Sequence, residues 1–148
     1  MAENVSTPRV RARHLRKEQV QVDFRRQSFI CDHPPQLWGD DMGPTPGELV
    51  LAGLSASIAQ HLGRHARERK IPMASCEVSA DFDVGQEANP GHPLDSLAFL
   101  SAINVVVEIE GDLTEEQFQT LKYIAENCVV ANTLRKGVQP DVVVRPGS

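Results

Sequence analysis

The segment Pro46–Leu62, "PGELVLAGLSASIAQHL", constrains this chain more than any other. From Leu49 to Ala59 its only polar residues are Ser55 and Ser57, so the run is too long and too apolar for a strand. Proline suits the first helical turn, which sets a helix start near Pro46. The helix continues to about Lys70 and is stopped by Pro72. After Gln60 it turns polar, through Arg64, His65, Arg67, Glu68, Arg69 and Lys70. A helix apolar on all sides is buried on all sides. The pattern therefore predicts a central core helix whose second half emerges to solvent. One small sheet cannot cover such a helix, which favours a homodimer in which two chains wrap their central helices.

The segments around it alternate. Val10 to Phe24 reads as a hairpin, with Val20, Val22 and Phe24 separated by Gln21 and Asp23. A third extended piece runs through "QSFICDHPP" and ends at Pro34–Pro35. "QLWGDDMGPTP" is a loop rich in Gly, Pro and Asp. In "CEVSADFDV", Cys76, Val78, Ala80, Phe82 and Val84 share one strand face. Residues 85–93 read as a loop. A second strand follows, with Ile103, Val105, Val107 and Ile109 on one face. Thr114 then predicts a helix N-cap, with Gln117 as its capping-box partner. Phe118, Leu121, Ile124, Ala125 and Cys128 fall on one face of that helix. "VANTLRKG" predicts a short helix ending at Gly137, and "PDVVVRP" a closing strand. The order is α+β, with antiparallel sheets around a long helix and no alternating βαβ pattern. Residues 1–8 are expected to be a flexible N-terminus and residues 9–148 a single domain.

The chain has 148 residues, a net charge of −5 and 41% hydrophobic residues, the profile of an ordinary globular protein. Nothing in that balance points to nucleic acid, and no apolar run is long enough for a membrane span. No signal-peptide pattern opens the sequence, so the cytoplasm is the expected compartment. Arg9, Arg11, Arg13, Arg16, Lys17, Arg25 and Arg26 make the N-terminal end basic. They read as a solvated strand face, or as the source of one arginine for an anionic site. The cysteines, Cys31, Cys76 and Cys128, are odd in number and lack CxxC or zinc spacing. Free thiols fit a reducing compartment. Cys76 reads as packing, and Cys31, before Pro34, is expected to be partly exposed. His61 and His65 stand one helical turn apart, a spacing that can bind a metal, but no third ligand is evident. Ser57 with His61 lacks a GxSxG elbow and an orienting carboxylate, against a hydrolase. No cofactor signature appears.

The stretches "DHPPQLWGDDMGPTPGELVLAGLSAS", "HARERKIP" and "EIEGDLTEEQFQTLKYIAENCVVANTLRKGV" together resemble the family of osmotically inducible protein C and the organic hydroperoxide resistance proteins (OsmC/Ohr). The resemblance covers most of residues 20–145. It implies a compact, intertwined homodimer with two sites at the subunit interface and a thiol-dependent peroxidase activity against organic hydroperoxides. One cysteine in the middle of the long helix attacks the peroxide. A second, at the end of the next helix, resolves the sulfenic acid as a disulfide, and a dithiol or lipoylated protein reduces that disulfide.

Carried onto this sequence, the resolving position is Cys128 in "NCVVANTL", where Val129 replaces the family's proline. The attacking position is Ser57, and residues 49–62 contain no cysteine. The family's glutamate after the helix-opening proline corresponds to Gly47, with Glu48 adjacent, and Arg16, with Arg13 second, matches the loop arginine. Peroxide reduction needs a nucleophile that ionises near neutral pH, as a thiol of pKa about 8.5 does when a cation lowers it. It must also cycle through sulfenic acid and disulfide. A serine hydroxyl does neither. Two origins fit Ser57: a branch that has left peroxidase chemistry, and a cysteine-to-serine replacement. The resemblance thus implies a hydroperoxide reductase that is inactive or weak as written. The alternative is a non-catalytic protein that holds a small hydrophobic or anionic ligand near Ser57, Cys128 and Arg16.

Overall fold

The structure, a computed structural model, describes residues 9–147. The expected flexible N-terminus, residues 1–8, lies outside the described residues. The chain divides into two compact units, Met1–Val50 and Leu51–Ser148.

The first unit is an antiparallel meander of β1 (Val10–Arg16), β2 (Gln19–Phe24) and β3 (Gln27–Cys31). The hairpin and the third extended piece form as their alternation predicts. Ala12 pairs with Val22 and His14 with Val20, and Val22 also faces Phe29 on the other side. The two turns are tight enough to put Lys17 and Arg25 at positive φ. Beyond β3 the chain folds around a buried carboxylate. Asp32 accepts the backbone N–H groups of His33 at 2.8 Å and of Asp40 and Met42 at 3.1 Å. Gln19 reaches the same carboxylate at 3.5 Å and Asp40 at 3.2 Å, and Lys17 pairs with Asp40 at 2.7 Å. Burial alone would raise the Asp32 pKa, but these donors outweigh it and hold the carboxyl below its ordinary range. The loop includes a short 3-10 helix, Pro35–Leu37, and closes against β3 so tightly that a Cβ on Gly43 would lie 1.8 Å from the Ile30 carbonyl.

The long helix α1 (Pro46–Glu68) begins in the first unit and runs through the second. It opens on a reciprocal cap. Thr45 Oγ1 accepts the N–H of Glu48 at 3.2 Å, and the Glu48 carboxylate accepts the N–H of Thr45 at 2.7 Å. This is the Thr-x-x-Glu box, with Pro46 in the first turn.

In the second unit, β4 (Met73–Ala88) and β5 (Ser96–Gly111) form a long antiparallel ribbon, followed by α2 (Glu115–Glu126) and α3 (Val129–Lys136). Leu54, Ile58, Leu62 and Ala66 of α1 form one core with Leu121, Ile124 and Ala125 of α2, Cys128, and Ala131 of α3. Cys76, Val78, Ile103, Val105, Val107 and Ile109 cover it from the ribbon, on the faces their alternation predicts. The capping box of Thr114 and Gln117 forms, and α3 ends on Gly137 at φ 62°.

Several expectations are corrected. Within the single chain the first half of α1 is not buried on all sides: Val50, Ala52, Gly53 and Ala56 are exposed. Its buried residues, Leu51, Leu54, Ile58, Leu62 and Ala66, form one continuous stripe at helical spacing. That stripe also keeps the second half of the helix in the core, although its other face is charged. Residues 85–88 are strand, not loop, because Gly85 pairs with Phe99 and packs beneath its ring. Val84 leaves the buried face and is 62% exposed, because the register shifts after Asp83 and Ser101 has no partner. Phe118 lies at the first turn of α2, beyond the core, and is exposed. "PDVVVRP" forms no strand. Strand formation needs a pairing edge, and among the described residues Val142, Val143 and Val144 stand exposed without one.

Candidate functional site

Ser57 sits on α1 one residue before the buried Ile58, half-buried at the margin of the second unit's core. It lines a cavity of about 150 Å³ with Gln60, His61, Arg64 and Val129. The first three follow Ser57 by three, four and seven positions, the spacing that puts residues on one helix face. Val129 opens α3 and brings the neighbourhood of Cys128 to the same cavity.

Cys128 is fully buried. It is not the last residue of α2, since Asn127 ends that helix and Cys128 caps α3. Its Sγ accepts the N–H of Ala131 at 3.4 Å. All three cysteines are free. Cys31, expected to be partly exposed, is buried, because it ends the β2–β3 ladder opposite Val20. Burial, then the charges of Asp32 and Glu48, push its thiol pKa up, away from reactivity. Cys76 is half-buried against the core, as its strand position predicts.

Arg16 and Glu48 belong to the first unit. Arg16 Nε donates to Gln19 Oε1 at 3.2 Å, across the β1–β2 turn. Glu48 is engaged in the α1 cap. The cation that shares the Ser57 cavity is Arg64, which sequence reasoning did not single out. Its position seven residues after Ser57 was the available signal. Arg64 Nη2 lies 3.0 Å from His61 Nδ1. A guanidinium only donates, so this nitrogen of His61 is engaged with Arg64 and is no base for Ser57. Burial, then His65, then Arg64 lower the His61 pKa below 6.5. Chemically, the cavity offers a hydroxyl, a neutral imidazole and a guanidinium, a set suited to holding an anion or a polarised oxygen.

His61 and His65 pack edge to face with ring centres 4.5 Å apart. Among the described residues, no group of three or more His, Cys, Asp or Glu is arranged to hold a metal ion. Nor is any described helix long and apolar enough to cross a membrane.

Residues 39–143 match the family model described as "OsmC: OsmC-like protein". No curated protein matches the sequence. Among solved structures, the chain is similar to an organic hydroperoxide resistance protein from Elizabethkingia anophelis, at 24% identity and a TM-score of 0.68, over 91% of this chain and 92% of that one. An OsmC-like protein from Mycoplasma pneumoniae aligns at 17% identity and a TM-score of 0.70, over 90% of each chain. The organic hydroperoxide resistance protein of Bacillus subtilis aligns at 21% identity and a TM-score of 0.61, over 90% of this chain and 93% of that one. At these identities the likeness establishes the fold.

Proposed function

The chain belongs to the OsmC-like protein family, and from that premise we propose that it carries the site of a thiol-dependent hydroperoxide reductase in which Ser57 stands at the attacking position. As written, the site is inactive or weak. The observation that carries this reading is the shared cavity of Ser57 and Val129, with the Cys128 thiol buried one residue behind Val129. Ser57 thus shares a cavity with the residue that follows Cys128, which supports pairing these two positions in peroxidase chemistry. Arg64 supplies the cation that would lower the pKa of a thiol placed at residue 57. A cysteine there would attack the distal peroxide oxygen, releasing an alcohol and leaving a sulfenic acid. Cys128 would displace water from that acid to give a disulfide, and a dithiol or lipoylated protein would reduce it.

The working form in this proposal is an intertwined homodimer in the cytoplasm. The exposed small-residue face of α1, with Ala52, Gly53 and Ala56, supports a second copy against it. So do Val142–Val144, which have strand-forming side chains and no partner strand among the described residues.

The test measures dithiol-dependent consumption of tert-butyl hydroperoxide by the chain and by Ser57→Cys. Turnover by Ser57→Cys alone supports a peroxidase site silenced at one atom. Turnover by neither overturns the reading and favours the small-ligand alternative. Turnover by the unmodified chain would move the chemistry to Cys128 or another thiol.

A further inference from the structure

A second, larger cleft lies in the second unit, between the latter half of α1 and the length of α2. Its volume is about 510 Å³, within the range of roughly 300–1,000 Å³ typical of small-molecule sites. His61, His65 and Arg69 come from α1, and Glu116, Tyr123 and Ile124 from α2. The residue that joins it to the Ser57 cavity is His61, which lines both.

The hydrogen bonds around the two imidazoles decide what this cleft can recognise. Arg64 Nη2 lies 3.0 Å from His61 Nδ1, and Arg69 Nη1 lies 3.0 Å from His65 Nδ1. A guanidinium has no acceptor, so each neutral ring turns a lone pair toward its arginine and carries its proton on Nε2. His65 Nδ1 also lies 3.2 Å from the Glu68 carboxylate, a partner suited to the protonated ring. In that state too the Nε2 keeps its proton. His61 in its neutral form, and His65 when protonated against Glu68 or when its Nδ1 accepts from Arg69, therefore carry N–H donors at Nε2, and Arg69 adds a permanent positive charge.

The same bonds argue against a metal at this pair. A metal on Nε2 of His61 would force its proton onto Nδ1, where the Arg64 guanidinium cannot accept it; at His65 the Glu68 carboxylate could accept that proton, so the conflict rests on His61. An anion meets no such conflict. The apolar parts of the wall are the Tyr123 ring and Ile124, which suit a hydrocarbon or aromatic body. Glu116 is the one carboxylate in the lining and weakens the attraction without cancelling the donors.

We propose that this cleft binds a small organic carboxylate with an apolar body, its carboxylate held by Arg69 and the imidazole N–H groups and its body against Tyr123 and Ile124. The site is separate from the peroxidase reading and stands whether or not Ser57→Cys turns over.

The test is titration of the full chain with benzoate, followed by the ¹⁵N shifts of the imidazole nitrogens and by calorimetry. Benzamide, which matches its shape without the charge, is the control. Saturable benzoate binding is expected, with benzamide at least ten-fold weaker. Arg69→Gln should weaken benzoate at least ten-fold, while Glu116→Gln should tighten it severalfold by removing a like charge. Both side chains are exposed, and melting curves will report that the variants fold. Equal affinity for benzamide, unchanged affinity in Arg69→Gln, or no saturable binding would overturn the proposal. Imidazole shifts produced by Zn²⁺ but not by benzoate would overturn it in favour of a metal pair.

Discussion

The sulfur of Cys128 accepts the backbone N–H of Ala131 at 3.4 Å, so the buried thiol serves as the N-cap of α3. A cap satisfies one of the donors that a helix start leaves unpaired. Any reaction that moves this sulfur must release that donor, which ties chemistry at Cys128 to the order of α3.

Cys128→Ala should therefore destabilise the protein by roughly 1–2 kcal/mol, mostly through the lost packing of the buried sulfur, with a smaller loss from its weak cap. Cys128→Ser keeps an acceptor in place and should cost less. Urea unfolding of the two variants checks this. An alanine variant as stable as the serine variant would show that the sulfur contributes nothing as a cap.

Thiol accessibility gives the second prediction. Cys31 and Cys128 are buried and Cys76 is half-buried, so the native protein should react slowly with a bulky disulfide reagent, Cys76 first. All three should react at once in denaturant. Burial and the neighbouring carboxylates of Asp32 and Glu48 raise the Cys31 pKa, so its labelling should stay slow even in mildly alkaline buffer. Rapid native labelling of Cys31, read by mass spectrometry of the digested protein, would contradict the buried placement.

Much of this arrangement was legible in the sequence, and each failure has its own physical cause. Alternation located both faces of β4 and β5, and Thr114 with Gln117 located the start of α2, because these signals are local. The apolar composition of α1 reads as burial on all sides, but its spacing buries only one stripe within a single chain. Ala52, Gly53 and Ala56 are small enough to face outward, and the spacing of Leu54, Ile58, Leu62 and Ala66 already described a single stripe. The shift at Val84 was not legible, since the alternation continues through it and only the unpaired Ser101 reveals the slip. The closing strand failed because pairing is not a local property. At the candidate site, Ser57 and Cys128 came from the family resemblance. Arg16 came from the family's loop arginine, whereas Arg64 is marked by helical spacing alone, seven residues after Ser57.

Asp32 gives a prediction with a definite sign. Its folded-state pKa lies below the ordinary value of 3.8, because the N–H groups of His33, Met42 and Asp40 and the Gln19 amide outweigh burial. A depressed carboxylate contributes stability that is full above the unfolded pKa and is lost as pH falls through the folded one. Stability should thus decline below about pH 4. Asp32→Asn should be less stable at pH 7, since its amide turns donors toward donors, and should show a flatter acid limb. Superimposable acid limbs from thermal melts at stepped pH would refute this account of the loop.

His61 gives the last prediction, with the same sign but a different physical cause. Burial first, then His65, then Arg64, lower its folded-state pKa below 6.5. The unfolded chain therefore takes up this proton more readily, and stability falls as pH drops below about 6.5 until the folded pKa is passed. Proton NMR of the His61 ring should give a midpoint below 6.5. Arg64→Gln should move that midpoint up only slightly, because desolvation is the larger cause and persists in the variant. Recovery of the whole shift in Arg64→Gln would make the guanidinium the dominant influence on the ring. The Ser57 cavity would then be governed by charge, and a thiol placed at residue 57 should be activated more strongly than burial alone would permit.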